Sequence, residues 1–437
     1  MSRETSLLPV TRREIVSWAL YDFANSAFTT LIVTFIFSAY FAQSIAPDPI
    51  EGAIWWTRAV QTSAIIVAVV MPVLGAIADS GGLKKRLLFM ATVACVVLTA
   101  ALFWMGPGDA WLAALIFIGA NVAYEITQVL YNSFLPEIAT PQKMGRVSGF
   151  GWGVGYVGGL ICLALALGMV TIWLPETDYV NIRATSLLTA LWFLVFSIPT
   201  FLYLRERQPR RPSPIIEHVH RGFSRIRDTG RNLSQYRQAV RFLVARLVYN
   251  DGLVTVFAMA AIYAGAEFGL VTSEILLLGI VVNVAAGISA IIFGFVNDQI
   301  GGKKTITVTL VGLIGTTGLA FFAPDRTWFW VAAIFLGMMV GPNQAASRSL
   351  LASFVPQNKQ AELFGFYAFS GKLASVLGPL SYGLVLGATE SHRWALASVV
   401  IFFVVGLCLL ARVDEEEGIV SAREGHHFQR FSRPTSK

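Results

Sequence analysis

The chain carries twelve apolar runs, each long enough to cross a lipid bilayer, and this pattern restricts it to one class of fold. A spanning helix needs about 20 mostly apolar residues. Charged residues make up only 14% of the sequence, against roughly a quarter in a soluble domain. We therefore predict an all-α membrane protein with twelve transmembrane helices, which begin near Val16, Arg58, Leu87, Ala110, Ser148, Ala184, Arg241, Thr272, Thr305, Trp328, Leu363 and Arg393.

A motif that occurs twice divides the chain into two halves. Residues 75–86 read GAIADSGGLKKR, and residues 294–304 read GFVNDQIGGKK. Their Gly, Asp, Gly and Lys-Lys positions match at an offset of 219 residues. Six helices per half give two bundles of the same membrane orientation, related by an axis along the membrane normal. The predicted organisation is a cytoplasmic segment 1–15, a bundle 16–204, a basic linker 205–240, a bundle 241–412, and a cytoplasmic tail 413–437 that we expect to be disordered.

The positive charges are distributed as membrane topology requires. With the amino terminus inside, the Lys and Arg residues fall on inside segments, apart from Arg58, Arg183, Arg326 and Arg393 at outside ends and Arg246 and Lys372 within helices. This is the positive-inside bias, so the net charge of +7 does not predict a nucleic-acid partner. The first helix is full-length and does not resemble a cleavable signal. We expect a multi-pass, monomeric protein of the inner cell membrane with both termini cytoplasmic.

The long hydrophilic segment between the halves, residues 205–241, contains ten arginines. One interpretation is a solvated linker whose charges keep it inside. The other is a helix after His218 that lies on the inner surface against anionic lipid headgroups.

The composition argues against an enzyme and against a bound cofactor or metal. Cys95, Cys162 and Cys408 lie in apolar runs at unrelated spacings, which favours neither a disulfide framework nor a metal site. The five histidines fall in loops or the tail. No Walker-type phosphate loop is present in the sequence, so ATP drive within this chain is not expected.

Polar side chains form matching stripes on two of the predicted helices. In each helix the four residues stand at offsets of 0, 4, 7 and 11, which places them on one face; they are Trp18, Asp22, Asn25 and Thr29 in the first helix and Asn121, Glu125, Gln128 and Asn132 in the fourth. Ionisable residues at mid-depth usually face a cavity or a partner. We therefore predict a substrate or proton site formed by Asp22, Asn25, Asn121, Glu125, Gln128, Asp251 and Lys372.

The roles within this site are hypotheses. Glu125, and with it Asp22, is expected to gain and lose a proton, because burial favours the neutral carboxyl. The alternative for each is a permanent ion pair or a capped structural acid. Lys372 either holds a substrate carboxylate or neutralises Asp251 while the site is empty. Arg246 is expected to snorkel to the interface or to pair with a neighbour, with substrate contact as the alternative.

The paired motifs resemble those of the major facilitator superfamily, and the phrase WALYDFANSAF at residues 18–28 resembles its vacuole-effluxer-like branch. Fungal members of that branch are linked to amino-acid export from the vacuole during autophagy. The resemblance implies a rocker-switch transporter whose two bundles tilt about a central site. It also implies that the motifs latch one conformation, through Gly75, Asp79, Gly82, Lys84, Lys85, Asp298, Gly301, Lys303 and Lys304. Lysines that only fix topology are the alternative.

One departure from the superfamily concerns antiport. Its antiporters often carry a Gly-Pro pair followed by Gly-Gly in helix 5, whereas residues 155–159 here read GYVGG. Antiport is therefore not supported by that motif. We predict a secondary transporter for a small solute such as an amino acid, coupled to protons. The alternative is a transport-deficient receptor on the same fold, and scattered single acids do not favour a channel.

Overall fold

The computed structural model of the chain is almost entirely helical. It describes residues 9–207, 236–374 and 377–422, together with Glu217, Gly222, Ser224 and Arg227. The surface helix considered after His218 falls almost entirely outside the described residues. So does the tail beyond residue 422.

Within the described residues, twelve helical segments are long and apolar enough to cross a membrane, which confirms the predicted fold class. In chain order they are α1 Arg12–Ile45, α2 Pro49–Asp79, α3 Lys84–Trp104, α4 Ala110–Ile138, α5 Pro141–Trp173, α6 Thr177–Tyr203, α7 Arg237–Phe268, α8 Glu274–Ile300, α9 Gly302–Phe322, α10 Arg326–Phe354, α11 Gln360–Thr389 and α12 His392–Ala411. Helix α2 begins well before the apolar run at Arg58. The reason is a cap: Asp48 accepts hydrogen bonds from Ile50 N and Glu51 N, and Pro49 stands at the first helical position.

Two of the spans depart from regular α-helix. Helix α1 is regular over Arg12–Ala27 and becomes π-helical over Phe28–Phe35. The described part of α11 consists of two helices, Gln360–Leu373 and Leu377–Thr389. Such interruptions are tolerated within a membrane protein where other groups satisfy the freed backbone.

The first bundle, α1–α6, meets the second, α7–α12, along two close seams. Helix α2 packs on α11, and α5 packs on α8 and α10. A Cβ atom on Gly75 would overlap the carbonyl oxygen of Ala361, and one on Gly149 would overlap that of Ala290. Small residues thus let the two backbones touch.

Both motif copies and both described chain ends lie at the same end of the bundles, which we call the motif side. Glu206, after α6, accepts hydrogen bonds from the backbone of Lys84 and Lys85 at the start of α3. Glu415, after α12, does the same for Gly302 and Lys303 at the start of α9. Each half therefore ends in an acid that caps its third helix.

The prediction of a disordered tail is wrong for residues 413–422. Residues 415–422 are helical, and Val413 is buried. Gln238 donates a hydrogen bond of 2.6 Å to Glu417. Together with the cap formed by Glu415, these contacts stabilise the segment against the second bundle.

Candidate functional site

A cavity of about 570 Å³ lies between the two bundles. Its lining reaches from Arg348, in the last two turns of α10 near the motif side, to Phe329, near the opposite end of the same helix. Ile275, at the start of α8, also lies at that opposite end. The cavity therefore extends from Arg348 toward the end of the bundles opposite the motif side.

The two walls of the cavity differ in chemistry. The first bundle contributes a polar wall, largely from α1 and α4, formed by Asp22, Asn25, Ser26, Thr29, Thr30, Thr34, Gln128 and Asn132. The second bundle contributes a mostly apolar wall, which includes Val256, Phe257, Ala260, Ile275, Leu278, Phe329, Ala332 and Leu336. A bound solute would therefore meet most of its polar contacts on the side of the first bundle, although Phe35, Leu160 and Leu163 also lie there. The second-bundle wall is mostly hydrocarbon but includes Asn283, Thr316 and Thr317.

An ion pair between the bundles forms the end of the cavity nearest the motif side, which we call the floor. Arg348 Nη1 of α10 donates to Asp22 Oδ2 of α1 at 3.0 Å and to Asn132 Oδ1 at 3.1 Å. Its Nε and Nη2 donate to Ser148 Oγ and Ser148 O at 2.9 and 2.6 Å. The side chains of Arg348 and Asp22 are only 3% and 11% exposed. A pair buried to this extent is costly to break by removing one partner.

Aromatic rings complete the floor around this arginine. The guanidinium carbon lies 4.9 Å from the ring centroid of Trp18 and 5.6 Å from that of Trp152. Trp18 is fully buried, and its Nε1 donates to Tyr131 O at 3.0 Å. Cation–π attraction adds to the stabilisation of the buried charge.

The sequence interpretation missed Arg348 as a site residue. A positive charge near the motif-side end of a helix fits the topology rule, so the sequence alone gives Arg348 no role beyond topology. The repeat held the signal that could have found it. Ser133-Phe134-Leu135-Pro136 is echoed by Ser353-Phe354-Val355-Pro356, and this alignment places Arg348 opposite Gln128, which was predicted to belong to the site.

A second ion pair joins the bundles through α4 and α11. Lys372 Nζ donates to Glu125 Oε1 at 2.5 Å, with side-chain exposures of 30% and 14%. Neither residue lines the cavity described above. The predicted site residues of α4 therefore divide: Gln128 lines the cavity, Glu125 faces α11, and Asn121 is held to α2 by donating to Ser63 Oγ at 2.6 Å.

The idea that Lys372 neutralises Asp251 is wrong. Asp251 is 1% exposed and accepts hydrogen bonds from Leu377 N at 3.1 Å and Gly378 N at 2.9 Å. It thus caps the second helix of α11, where the aligned peptide dipoles stabilise a carboxylate, and no ion pair links it to Lys372 among the described residues.

Arg246 does not reach the interface. It is 6% exposed, lies 3.5 Å above the ring centroid of Tyr367, and donates to Tyr367 O and Ser370 Oγ, both at 3.0 Å. These contacts fit the expectation that it pairs with a neighbour.

The first motif copy fastens α2 and α3 to the start of α11. Asp79 Oδ2 accepts from Glu362 N at 2.9 Å. Lys84, fully buried, donates to Glu137 of α4 and to Gln360 of α11. Gly82 ends α2 with a φ of 62°, a conformation that favours glycine. Lys85 donates to Leu204 O within the first bundle.

The second copy fastens α8 to the start of α5. Asp298 Oδ1 accepts from Gly145 N at 2.8 Å and Arg146 N at 3.2 Å, and Asp298 also pairs with the Arg146 side chain. Gly301 has a φ of 89°, and Lys303 Nζ donates to Ala411 O at 3.1 Å. The side chain of Lys304 is exposed. Both motif aspartates therefore join the bundles at a helix amino terminus, where negative charge is favoured.

In the part of the chain that the structure describes, no group of three or more His, Cys, Asp or Glu side chains could hold a metal ion. The three cysteines are unpaired thiols.

Comparison with known proteins gives concordant matches. A family model described as vacuole effluxer Atg22 like matches residues 53–146 and 140–423. An uncharacterized MFS-type transporter, YxiO, of Bacillus subtilis (strain 168) is 32% identical over 410 residues, which cover 92% of this chain and 94% of that protein. Autophagy-related protein 22 of Yarrowia lipolytica is 24% identical over 442 residues, 80% of this chain and 74% of that protein.

Solved structures share the fold. The human organic anion transporter MFSD10 (TETRAN) superposes with a TM-score of 0.72 at 13% identity, over 91% of this chain and 99% of that one. The proton:xylose symporter XylE gives 0.71 at 14% identity, over 95% and 98%. Both comparisons support the twelve-helix, two-bundle architecture.

Proposed function

The chain belongs to the vacuole effluxer Atg22-like family of major facilitator transporters, and from this premise we propose that it carries a small carboxylate-bearing solute by proton-coupled alternating access. Membership of the family makes it a multi-pass membrane transporter of a small molecule and not an enzyme. Amino acids are the solute class that we propose. We also propose that it works as a monomer in the inner cell membrane with both termini cytoplasmic.

The observation that carries the proposal is the charge pair on the cavity floor. Asp22 and Arg348 are the only charged residues among the described residues that line the cavity, and they come from opposite bundles. A solute that competes for either charge acts directly on a contact between the bundles. Binding can thus change the relative stability of two arrangements of the bundles, which is the requirement for a ligand-driven conformational change.

Alternating access is supported by where the bundles touch. The clasps of Asp79 and Asp298, and the seams at Gly75 and Gly149, all lie toward the motif side. The cavity lies away from that side. The present arrangement is therefore closed at the motif side, and release there requires both clasps to open.

Proton coupling is supported by the ion pairs between the bundles, in which the first bundle supplies the carboxylate and the second supplies the cation. Asp22 and Glu125 belong to the first bundle, while their partners Arg348 and Lys372 belong to the second. Protonation of either carboxylate removes an attraction between the bundles, and this attraction is stronger in a poorly hydrated site than in water. Glu125 and Asp22 therefore remain the proposed proton-binding residues.

A flux screen in proteoliposomes tests the proposal. Wild-type protein is assayed with amino acids, short peptides, sugars and organic cations, with and without an imposed proton gradient. We expect saturable uptake of at least one amino acid and its accumulation when the gradient is present. Absence of saturable flux for every solute would refute transport and favour a receptor.

The variant Glu125→Gln separates proton coupling from binding. We expect it to retain exchange of solute down its gradient but to lose accumulation driven by protons. Glu51→Gln, at an exposed position in the first turn of α2, is the matched control. Accumulation by Glu125→Gln at the wild-type rate would show that Glu125 is not the proton site.

A further inference from the structure

Three hydrogen-bond donors around the cavity floor have no protein acceptor. They are Trp152 Nε1, Asn25 Nδ2 and Gln128 Nε2, each buried and without a partner among the described residues. All three side chains line the cavity, and Asn25 is only 1% exposed. Buried polar groups in native proteins are normally hydrogen-bonded, so a cluster of orphaned donors calls for an acceptor from outside the chain.

These donors lie close to a cation in the structure: the Trp152 ring centroid is 5.6 Å from the guanidinium carbon of Arg348, and Asn25 and Gln128 stand one helical turn from its partners Asp22 and Asn132. Among the described residues, Asp22 is the anionic partner of Arg348. Arg348 holds Asp22 through Nη1, while Nε and Nη2 bind Ser148. An ionised carboxylate accepts hydrogen bonds and donates none, whereas an ammonium group only donates. Once Asp22 is neutral, a carboxylate therefore fits a floor of N–H groups and a guanidinium, and an ammonium group does not.

We propose that the floor binds the carboxylate of the solute, which replaces Asp22 as the anionic partner of Arg348 when a proton neutralises Asp22. The hydrogen-bond donors to this carboxylate are Trp152, Asn25 and Gln128. The proposal rests on the transport function proposed above and adds the recognised group and the direction of coupling. The proton goes to the Asp22 carboxylate. Arg348 then lacks an anionic partner, and the solute carboxylate supplies one.

This exchange makes the binding of the proton and the binding of the solute favour each other. A lone buried guanidinium is unfavourable, so protonation of Asp22 favours binding of the carboxylate, and the reverse holds equally by linkage. The proton and the solute then bind to the same conformation of the protein and cross the membrane in the same direction. Besides Arg348 of α10, the titratable groups of the described residues that interact with Asp22 are Tyr21 of α1, Tyr124 and Tyr131 of α4, and Tyr156 of α5.

The remainder of the cavity favours an apolar body on the solute. Val256, Phe257, Leu278 and Phe329 of the second bundle face the polar wall. With Asp22 neutral, the described lining holds no anion for an ammonium group. The site is therefore built for a monocarboxylate with an apolar body, and an amino group is not required for binding.

Three probes with the same apolar body test this assignment. They are 3-phenylpropanoate, L-phenylalanine and 2-phenylethylamine, and binding to purified full-length protein is measured by calorimetry. We expect wild-type affinity for 3-phenylpropanoate to rise by up to about tenfold per unit fall in pH, because one proton is bound with each ligand. In Asp22→Asn, a neutral stand-in for the protonated acid, we expect tight binding without pH dependence. Both proteins should bind L-phenylalanine, which carries the carboxylate, and neither should bind 2-phenylethylamine, which lacks it.

The donor role is tested by Trp152→Phe, which keeps a ring beside Arg348 but removes the N–H. We expect affinity for 3-phenylpropanoate to fall about tenfold, the effect of losing one hydrogen bond to a charged group. Trp173→Phe, at an exposed position outside the cavity lining, should leave affinity unchanged.

Two results overturn the assignment: no binding of 3-phenylpropanoate to Asp22→Asn, or a wild-type affinity that does not rise as the pH falls. Either would leave transport itself standing if the wild-type protein still shows saturable flux. Absence of flux, in contrast, refutes the transport function on which the assignment rests.

Discussion

Loss of the Asp298 carboxylate is expected to open the motif side. Asp298 of α8 accepts two backbone hydrogen bonds from Gly145 and Arg146, at the start of α5 in the other bundle. These bonds exist only while the bundles touch at this end. We predict that Asp298→Ala shifts the equilibrium toward an arrangement in which the motif side is open.

The size of the shift follows from the contacts. A hydrogen bond to a charged group contributes about 1.5–3 kcal/mol, and the Arg146 side chain, which is 43% exposed, adds little because solvent screens it. Two such bonds at the lower figure contribute about 3 kcal/mol, which corresponds to roughly 150-fold. An equilibrium of about 99:1 in favour of the closed motif side would become about 40:60.

Distances between spin labels measure this shift. One label pair at Gln142 and Gln299 reports the motif side, and another at Ile172 and Val271 reports the opposite side, in a background whose native cysteines are replaced. Asp325→Ala is the matched control, because Asp325 caps α10 within one bundle by accepting from its first turn.

We expect Asp298→Ala to lengthen the motif-side distance and shorten the opposite one, while Asp325→Ala leaves both unchanged. An unaltered motif-side distribution in Asp298→Ala would mean that the clasp does not contribute to closure.

Three further predictions concern the seam, the second ion pair and a capping acid. Gly75→Ala should lower the thermal midpoint of unfolding, because its Cβ would overlap α11. Gly315→Ala, with no atom within 4 Å of the added Cβ, should not. Equal midpoints for the two variants would contradict a close contact between α2 and α11 at Gly75. The double exchange Glu125→Lys with Lys372→Glu should restore assembly but not proton-driven accumulation, and restored accumulation in the flux assay would make the pair structural. Burial raises the pKa of Glu206 above its ordinary value of 4.5, so its contribution to stability is full below that value and is lost as the pH rises through the higher one. The thermal midpoint of wild type, measured against that of Glu206→Gln at the same pH, should therefore fall as the pH rises above about 4.5, and a difference that does not change with pH would refute this.

The fold could be predicted from the sequence because its determinants are local. An apolar run of sufficient length must be a helix in lipid, and two motif copies at equal spacing identify the two halves. The start of α2 was misplaced because its first turns carry Glu51 and lie beyond the apolar run, so that the cap at Asp48 decides where the helix begins.

The candidate site could be predicted only in part, since helical spacing gives the face of a residue but not its partner. Asp22, Asn25 and Gln128 do line the cavity. The partner of Lys372 is Glu125, 247 positions away in the sequence. Nothing in the local sequence pattern shows that Lys372 pairs with Glu125 and not with Asp251. The way in which one bundle is turned toward the other decides such pairs, and this depends on contacts throughout both bundles.

Alternating access is tested most directly by flux through a protein whose motif side can be held closed. Cysteines at Gln142 and Gln299 are joined by a short cleavable crosslinker in proteoliposomes that take up the solute found in the flux screen. We predict that saturable flux stops on crosslinking and returns when the linker is cleaved. Undiminished flux through the crosslinked protein would contradict a mechanism in which the bundles must separate on the motif side.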